Sequence, residues 1–350
     1  MSPSQAALLL PASYLGGLGT SFAGGVLSDK RGGRSVAALG LGVIALGVLL
    51  AGLATNFGVF LLGAVITGSG YAVVNAATSV LVNTVMLSGR GLQLGIKQAG
   101  VTVGGLAVGI TIPAVQSWTS WSVALLGVSA AVAIAAAWMV RDHRRSPSFV
   151  RAATDTPPEP AALRPFAGGI YGLTMSAAQV SAFGLLAVYL VDALHVSPTR
   201  ASAVFGIVLV GGVVSRVGWG LVSDRSARGR VFPLRVCAVL GFTGFVFMSV
   251  PGTPWAIAAA VLLGIGTTGW NGAYLAAIMP GGSERGGRDV GHAQMFIILG
   301  CIVGPLLAGG VLEIFGRWDV MWGLLAASQV LALWVAKPAK QPAGTPPSAS

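Results

Sequence analysis

Charge is what this sequence is short of. Lys, Arg, Asp and Glu make up 9% of its 350 residues, against about 25% in a soluble domain. That deficit excludes an ordinary water-soluble globule. Cysteine is scarcer still. Cys237 and Cys301 each lie inside an apolar run, so no disulfide framework or metal site is read and both are expected to pack. The three histidines are scattered and form no ligand cluster. No His/Asp metal motif, nucleophile elbow or Walker loop occurs, which argues against an enzyme and against an ATP-driven pump. No cofactor is expected.

What fills the space is apolar. Hydrophobic residues make up 54% of the chain and mean hydropathy is +0.81. Glycine, at 52 residues, follows no Gly-X-Y period; at this level it suits helices whose backbones approach closely in lipid. The chain reads as an all-α, polytopic membrane protein. A bilayer core takes about 20 apolar residues of helix. On that basis spans are expected near 5–27, 35–54, 57–83, 92–115, 121–140, 166–190, 200–222, 231–250, 254–279, 290–312 and 318–336, about eleven in all. The polar stretch 141–165, rich in Pro, Arg and acids, reads as a linker between bundles at 1–140 and 166–336, with a disordered tail at 337–350. Met1 to Gln5 has no positive n-region, so no cleavable signal peptide is read.

The net charge of +11 follows topology and not nucleic acid. One alternating set of gaps holds seventeen Lys and Arg, among them Lys30, Arg34, Arg144, Arg225 and Lys337; the opposite set holds Arg200 and Arg317. By the positive-inside rule, the linker and C-terminus are cytoplasmic. Arg outnumbers Lys, 17 to 4, which suits a GC-rich bacterial genome and an inner-membrane location.

The halves repeat. Gly25-Val-Leu-Ser-Asp29-Lys30 matches Gly220-Leu-Val-Ser-Asp224-Arg225 at an offset of 195. At an offset of 196, GSGYAVVN (68–75) matches GIGTTGWN (264–271), and Gly95-Ile-Lys-Gln98 matches Gly291-His-Ala-Gln294. Parallel repeats about an axis along the membrane normal are one plan for secondary transporters. An Asp just past such a helix can accept hydrogen bonds from nearby helix N-termini and pair with Arg or Lys.

With these residues in view, the sequence resembles the major facilitator superfamily. Its signature loop, G-x-L-(A/S)-D-(R/K)-x-G-x-(R/K), is matched by Gly25, Leu27, Asp29, Lys30, Gly32 and Arg34, and its half-repeat by Gly220, Asp224 and Arg225. The resemblance implies two pseudo-symmetric helical bundles that alternate in exposing a central site, latched by these loops. It also implies twelve helices with both termini inside. Here the motif follows the first span, so a misassigned or truncated start is expected, and the arrangement is five helices plus six.

Charges within a bilayer are functional candidates. Two basic residues fall inside spans, Lys97 and Arg216, while all ten acids lie in gaps or near span ends. Arg216 precedes Asp224 by eight residues, about 12 Å of helix. The stretch SRVGWGLVSD resembles the eighth helix of monocarboxylate and oxalate transporters, where an arginine so placed binds the substrate carboxylate; its fork suits that bidentately. The other reading ties Arg216 to backbone carbonyls or another helix. The run LGIKQAGVTVGGLAVGITIPA resembles cyanate-transporter-like members; Lys97 beside Gln98 is a second positive point on an anion path, or snorkels to the interface.

Asn75, Asn271 and Gln179 are mid-span amides that line the cavity or glue helices together. Trp270 and Tyr71 supply an aromatic wall or core packing. His292 and Asp289 are the candidates for proton coupling, or His292 is structural. Val65 stands where the family's fourth-helix motif has arginine, and VGG at 103–105 replaces the drug-antiporter Gly-Pro; a looser version, GCIVGPLLAGG, occupies 300–310. The expected function is transport of a small organic or inorganic anion, with protons the candidate coupling ion, by a monomer in the lipid bilayer, with no nucleic acid bound. The alternatives are multidrug efflux, or a non-transporting sensor or inactive fragment.

Overall fold

The computed structural model describes residues 3–85, 88–145, 162–279 and 286–339. Among them there is no strand. The first half contributes α1 (Pro3–Arg31), α2 (Gly33–Gly52), α3 (Phe57–Val85), α4 (Arg90–Gln116) and α5 (Trp121–Arg145). The second contributes α6 (Pro165–Val188), extended by a π-helical turn at Tyr189–Ala193, then α7 (Pro198–Arg225), α8 (Val231–Met248), α9 (Thr253–Ile265), α10 (Asn271–Ile278), α11 (Gly286–Phe315) and α12 (Trp318–Val335). A helix lies on each stretch expected to span. Among the described residues, eight are long and apolar enough to cross a membrane. α1 and α4, at 29 and 27 residues, run along the boundary between the halves.

Two differences from the expected spans have physical causes. The stretch at 254–279 is broken at residues 266–270, Gly266-Thr-Thr-Gly269-Trp270. There the Thr268 N–H reaches past the normal partner to the Leu263 carbonyl, 3.1 Å away, which widens the turn and releases carbonyls. The expected linker at 141–165 begins with the last turn of α5, while 146–161, like the tail from 340, lies outside the described residues.

Helix starts and stops follow local chemistry. Pro165 and Pro198 occupy the first turns of α6 and α7, where a missing N–H costs nothing. Gly32 and Gly229, at φ 80° and 78°, turn the chain after α1 and α7 in the left-handed region that glycine enters freely.

Within the first half, α3 packs on α1 and α2, and α5 on α2; within the second, α6 packs on α11 and α12, α8 on α9 and α12, and α7 on α9. The halves meet mainly through α1 against α11 and α4 against α7. Since α7 repeats α1 and α11 repeats α4, these are one contact made twice about a pseudo-twofold axis. Packing is uneven. Trp270, Trp322, Tyr171, Tyr274 and Phe245 are fully buried in the second half, while Leu94 is the one residue of the first half among the largest fully buried described side chains. Gly300 and Gly304 of α11 let the α6 backbone approach too closely for any Cβ. Their repeat counterparts on α4, Gly104 and Val108, are open: nothing lies within 4 Å of a Cβ at Gly104, and Val108 is exposed.

Candidate functional site

The two loop motifs come together with the other half's helix N-termini. Asp29, near the end of α1, accepts hydrogen bonds from the backbone N–H groups of Gly287 and Arg288 at 2.7 and 2.9 Å. Asp224, near the end of α7, accepts from Gly91 and Leu92 at 2.9 and 2.8 Å. These are first-turn donors of α11 and α4, which have no acceptor in their own helix and carry the positive end of its dipole. Burial pushes the Asp29 carboxyl above its ordinary range, opposed by the two N–H groups and the Arg288 charge. Glycine makes the approach possible: a Cβ on Gly25 would overlap the Gly287 carbonyl, and one on Gly220 the Gly91 carbonyl. The basic residues of the motif do other things. Lys30 and Arg225 are exposed, and Arg34 pairs with Asp142 of α5 at 3.0 Å, bracing the first half internally.

Above the latches, both membrane-embedded cations are tied to neutral acceptors. The Lys97 ammonium donates to the Asn75 carbonyl (2.8 Å), Asn75 Oδ1 (2.5 Å) and Ser79 Oγ (2.7 Å). Asn75 in turn donates through Nδ2 to Gln294 Oε1 of α11 at 2.7 Å, so the network crosses from one half to the other. Arg216 is 6% exposed. Its Nε donates to the Thr268 carbonyl at 2.9 Å, and its Nη1 to the Gln98 carbonyl at 2.7 Å and to Thr102 Oγ1. The Thr268 carbonyl is one that the break between α9 and α10 releases. The Ile265 carbonyl is another, bound by Trp219 Nε1 at 2.9 Å. Among the described residues no carboxylate pairs with either cation, and Arg216 Nη2 has no acceptor. Beyond Thr102, α4 and α7 part, and Gly104 and Gly206 meet nothing within 4 Å.

The remaining candidates divide. Gln179 is half-buried and accepts from Trp270 Nε1 at 3.0 Å. Trp270 itself is fully buried against Tyr171 and Tyr274, so its ring packs and does not open to the cavity. Asn271 Oδ1 is buried without a partner among the described residues. His292 packs its ring against Phe296, which packs on Phe166 of α6. Asp289 lies beside the α11 latch donors, on the first turn of that helix.

Several site residues escaped the sequence reading. Gln294 carried a usable signal, because it is the repeat counterpart of Gln98. Thr102, Ser79 and Tyr14 carried none. Cys301, unlike fully buried Cys237, is only partly covered, and it stands near Tyr14 of α1 and Ser176 of α6. Tyr71, on α3, is 41% exposed and interacts electrostatically with both Cys301 and Arg216.

The comparisons agree with this architecture. The family model described as Major Facilitator Superfamily matches residues 1–286. Among solved structures, the transporter FucP in its outward conformation superposes with a TM-score of 0.73 at 16% identity, covering 96% of this chain and 90% of its own. A bacterial homologue of the iron transporter ferroportin, outward-facing with soaked iron, gives 0.74 at 15% identity, with coverages of 96% and 90%. The human organic anion transporter MFSD10 gives 0.72 at 16%, with coverages of 94% and 82%. At such identities the likeness is one of fold. A search of the curated proteins finds no match. Two latched bundles, the doubled loop and a family match over most of the length lead to one conclusion: the chain belongs to the major facilitator superfamily.

Proposed function

We propose that the protein is a secondary transporter of a small organic or inorganic anion, such as a monocarboxylate, working by alternating access. The observation that carries this reading is the pair of cations at the centre, Lys97 and Arg216, with only neutral acceptors around them among the described residues. A buried guanidinium without a counter-charge is expensive in a membrane, and a free Nη2 gives an incoming carboxylate two N–H donors. The structurally similar proteins handle fucose, iron and organic anions by their own descriptions, so they do not choose among substrates; the cations do.

In this reading the latched end faces the cytoplasm, because the gaps at that end carry the Lys and Arg excess. Arg317, one of two basic residues in the opposite gaps, is paired with Asp319 at 3.1 Å. The present conformation is then closed inside. The bundles at 1–140 and 166–336 are the moving bodies of a monomer in a bacterial inner membrane. Protons are the coupling ion where one is used, with His292 and Asp289 the candidates.

A second reading, efflux of apolar solutes, is favoured by an apolar groove of ≈ 810 Å³ along α7, lined by Ile207, Val210, Val214 and Trp219 among others. Thermal stabilisation of the purified protein by matched anions, cations and neutral solutes separates the two, since a ligand that binds the folded state raises the melting temperature. Stabilisation by anions alone, lost in Arg216→Ala, is expected. Cationic or neutral hits that persist in Arg216→Ala overturn the anion reading in favour of efflux.

A further inference from the structure

We infer that the groove along α7 is a binding site for an anionic phospholipid, with an acyl chain lying in the groove and the phosphate held by Arg225 and Arg228 at the latched end. The groove, of ≈ 810 Å³, follows α7 from Ile207 through Val214 to Val222, with Val261 and Ile265 of α9 alongside. Arg216 and Gly220, which meet α4, sit about 200° round the helix from Val214 and Gly218. The groove therefore opens away from the first half, towards the bilayer, and Val214 is 67% exposed in it. An apolar solute reaches this face only from the lipid, where phospholipid competes in large excess.

The shape suits a hydrocarbon chain. A Cβ at Gly206 or Gly218 would meet nothing within 4 Å, so both leave the channel clear. Trp219 closes it on the α9 side, where its Nε1 donates to the Ile265 carbonyl at 2.9 Å and fixes the ring. From Val214 to Val222 is about 12 Å of helix, close to the depth of one leaflet's hydrocarbon, about 15 Å.

The mouth of the groove selects the headgroup. Val222 also lines a second pocket, of ≈ 280 Å³, together with Leu221, Arg225 and Ser226, so the apolar channel runs into a basic end. Arg225 and Arg228 are exposed, and neither pairs with a carboxylate among the described residues. The adjacent acid, Asp224, is taken by the Gly91 and Leu92 N–H groups. Arg228 stacks on Phe232, 5.0 Å from the ring centroid, and its backbone N–H donates to Ser226 Oγ at 3.2 Å, which ties it to the pocket. Two guanidiniums and a hydroxyl at the end of a hydrocarbon channel match a phosphate carried on an acyl chain. The first half disposes of its charge differently, with Arg34 neutralised by Asp142. Neither the groove nor its mouth uses Arg216 or Lys97, so the site stands apart from the anion reading.

Fluorescence quenching by lipids brominated on their acyl chains tests this, with the full chain reconstituted in phosphatidylcholine vesicles. Trp219 is the reporter, read as wild type minus Trp219→Phe; Gly218→Leu serves as the subtracted protein should Trp219→Phe not fold. Brominated phosphatidylglycerol is expected to quench Trp219 at a mole fraction about fivefold lower than brominated phosphatidylcholine, and Arg225→Gln combined with Arg228→Gln to abolish that preference. Gly218→Leu, whose side chain enters open space, is expected to melt as wild type does and to lose most of the quenching by either lipid. Equal quenching by the two lipids in wild type means ordinary boundary lipid, and no quenching by either means a groove covered by a second copy of the chain; each result overturns the site. So does a preference for phosphatidylglycerol that survives loss of both arginines.

Discussion

At the scale of single residues, Lys97 is the clearest case of a group that the fold does not need. Burying an ammonium costs several kcal/mol, and its partners here are neutral. Lys97→Met relieves that cost and leaves Asn75 Oδ1 without its donor, a loss of about 1–3 kcal/mol. The first effect is larger, so the variant is expected to melt a few degrees above wild type while losing stabilisation by anions. A fall in the ligand-free melting temperature of similar size would make Lys97 a structural strut. That both cations would lie inside the membrane was legible in the sequence, because two basic residues among apolar runs cannot hide. Their partners were not. Thr102 and Ser79 look like any other small polar residue, and the Thr268 carbonyl became available only through the break between α9 and α10, which the apolar run at 254–279 does not announce. Trp270 offered two roles from the sequence, an aromatic wall or core packing, and the structure buries it.

At the scale of elements, the close pairs α1–α11 and α4–α7 depend on the absence of side chains at a few points. Gly25→Val places branched carbons where the Gly287 carbonyl now sits, and backbone cannot yield as a flexible side chain can. The latched ends are expected to stay apart, seen as a longer spin-label distance between Arg31→Cys and Arg288→Cys after Cys301→Ser. Gly104→Val, facing open space, is expected to leave that distance unchanged. Equal distances in both variants would mean that the helices slide past the obstruction. The repeat made Gly25 and Gly220 visible, since both sit in the doubled motif. Gly91 and Gly287, which receive them, lie outside the quoted matches and were found only when the halves were seen together.

At the scale of the whole molecule, a net charge of +11 and a centre with two cations predict a positive interior. Cys301 offers a way to measure it. Its thiolate displaces a sulfinate from a methanethiosulfonate reagent and forms a mixed disulfide, at a rate set by access and local reagent concentration. An anionic sulfonatoethyl reagent is expected to modify Cys301 about tenfold faster than a trimethylammonium one, with the preference lost in Arg216→Gln and fully buried Cys237 unreacted. A cationic preference would contradict a positive centre. The all-helical, two-bundle plan was legible from hydropathy and the internal repeat; the uneven packing of the halves was not, because it depends on which glycines meet a neighbour. One further property of the closed end concerns heredity more than mechanics. Each lock is an aspartate on one half and a pair of main-chain amides on the other. Amides are shared by every residue except proline, so drift in the side chains of Leu92 or Arg288 leaves the receiving half intact. The mutational risk concentrates on Asp29 and Asp224 and on Gly25, Gly91, Gly220 and Gly287, whose missing side chains let the helices meet, and the two halves are free to diverge in much else while still closing on one another.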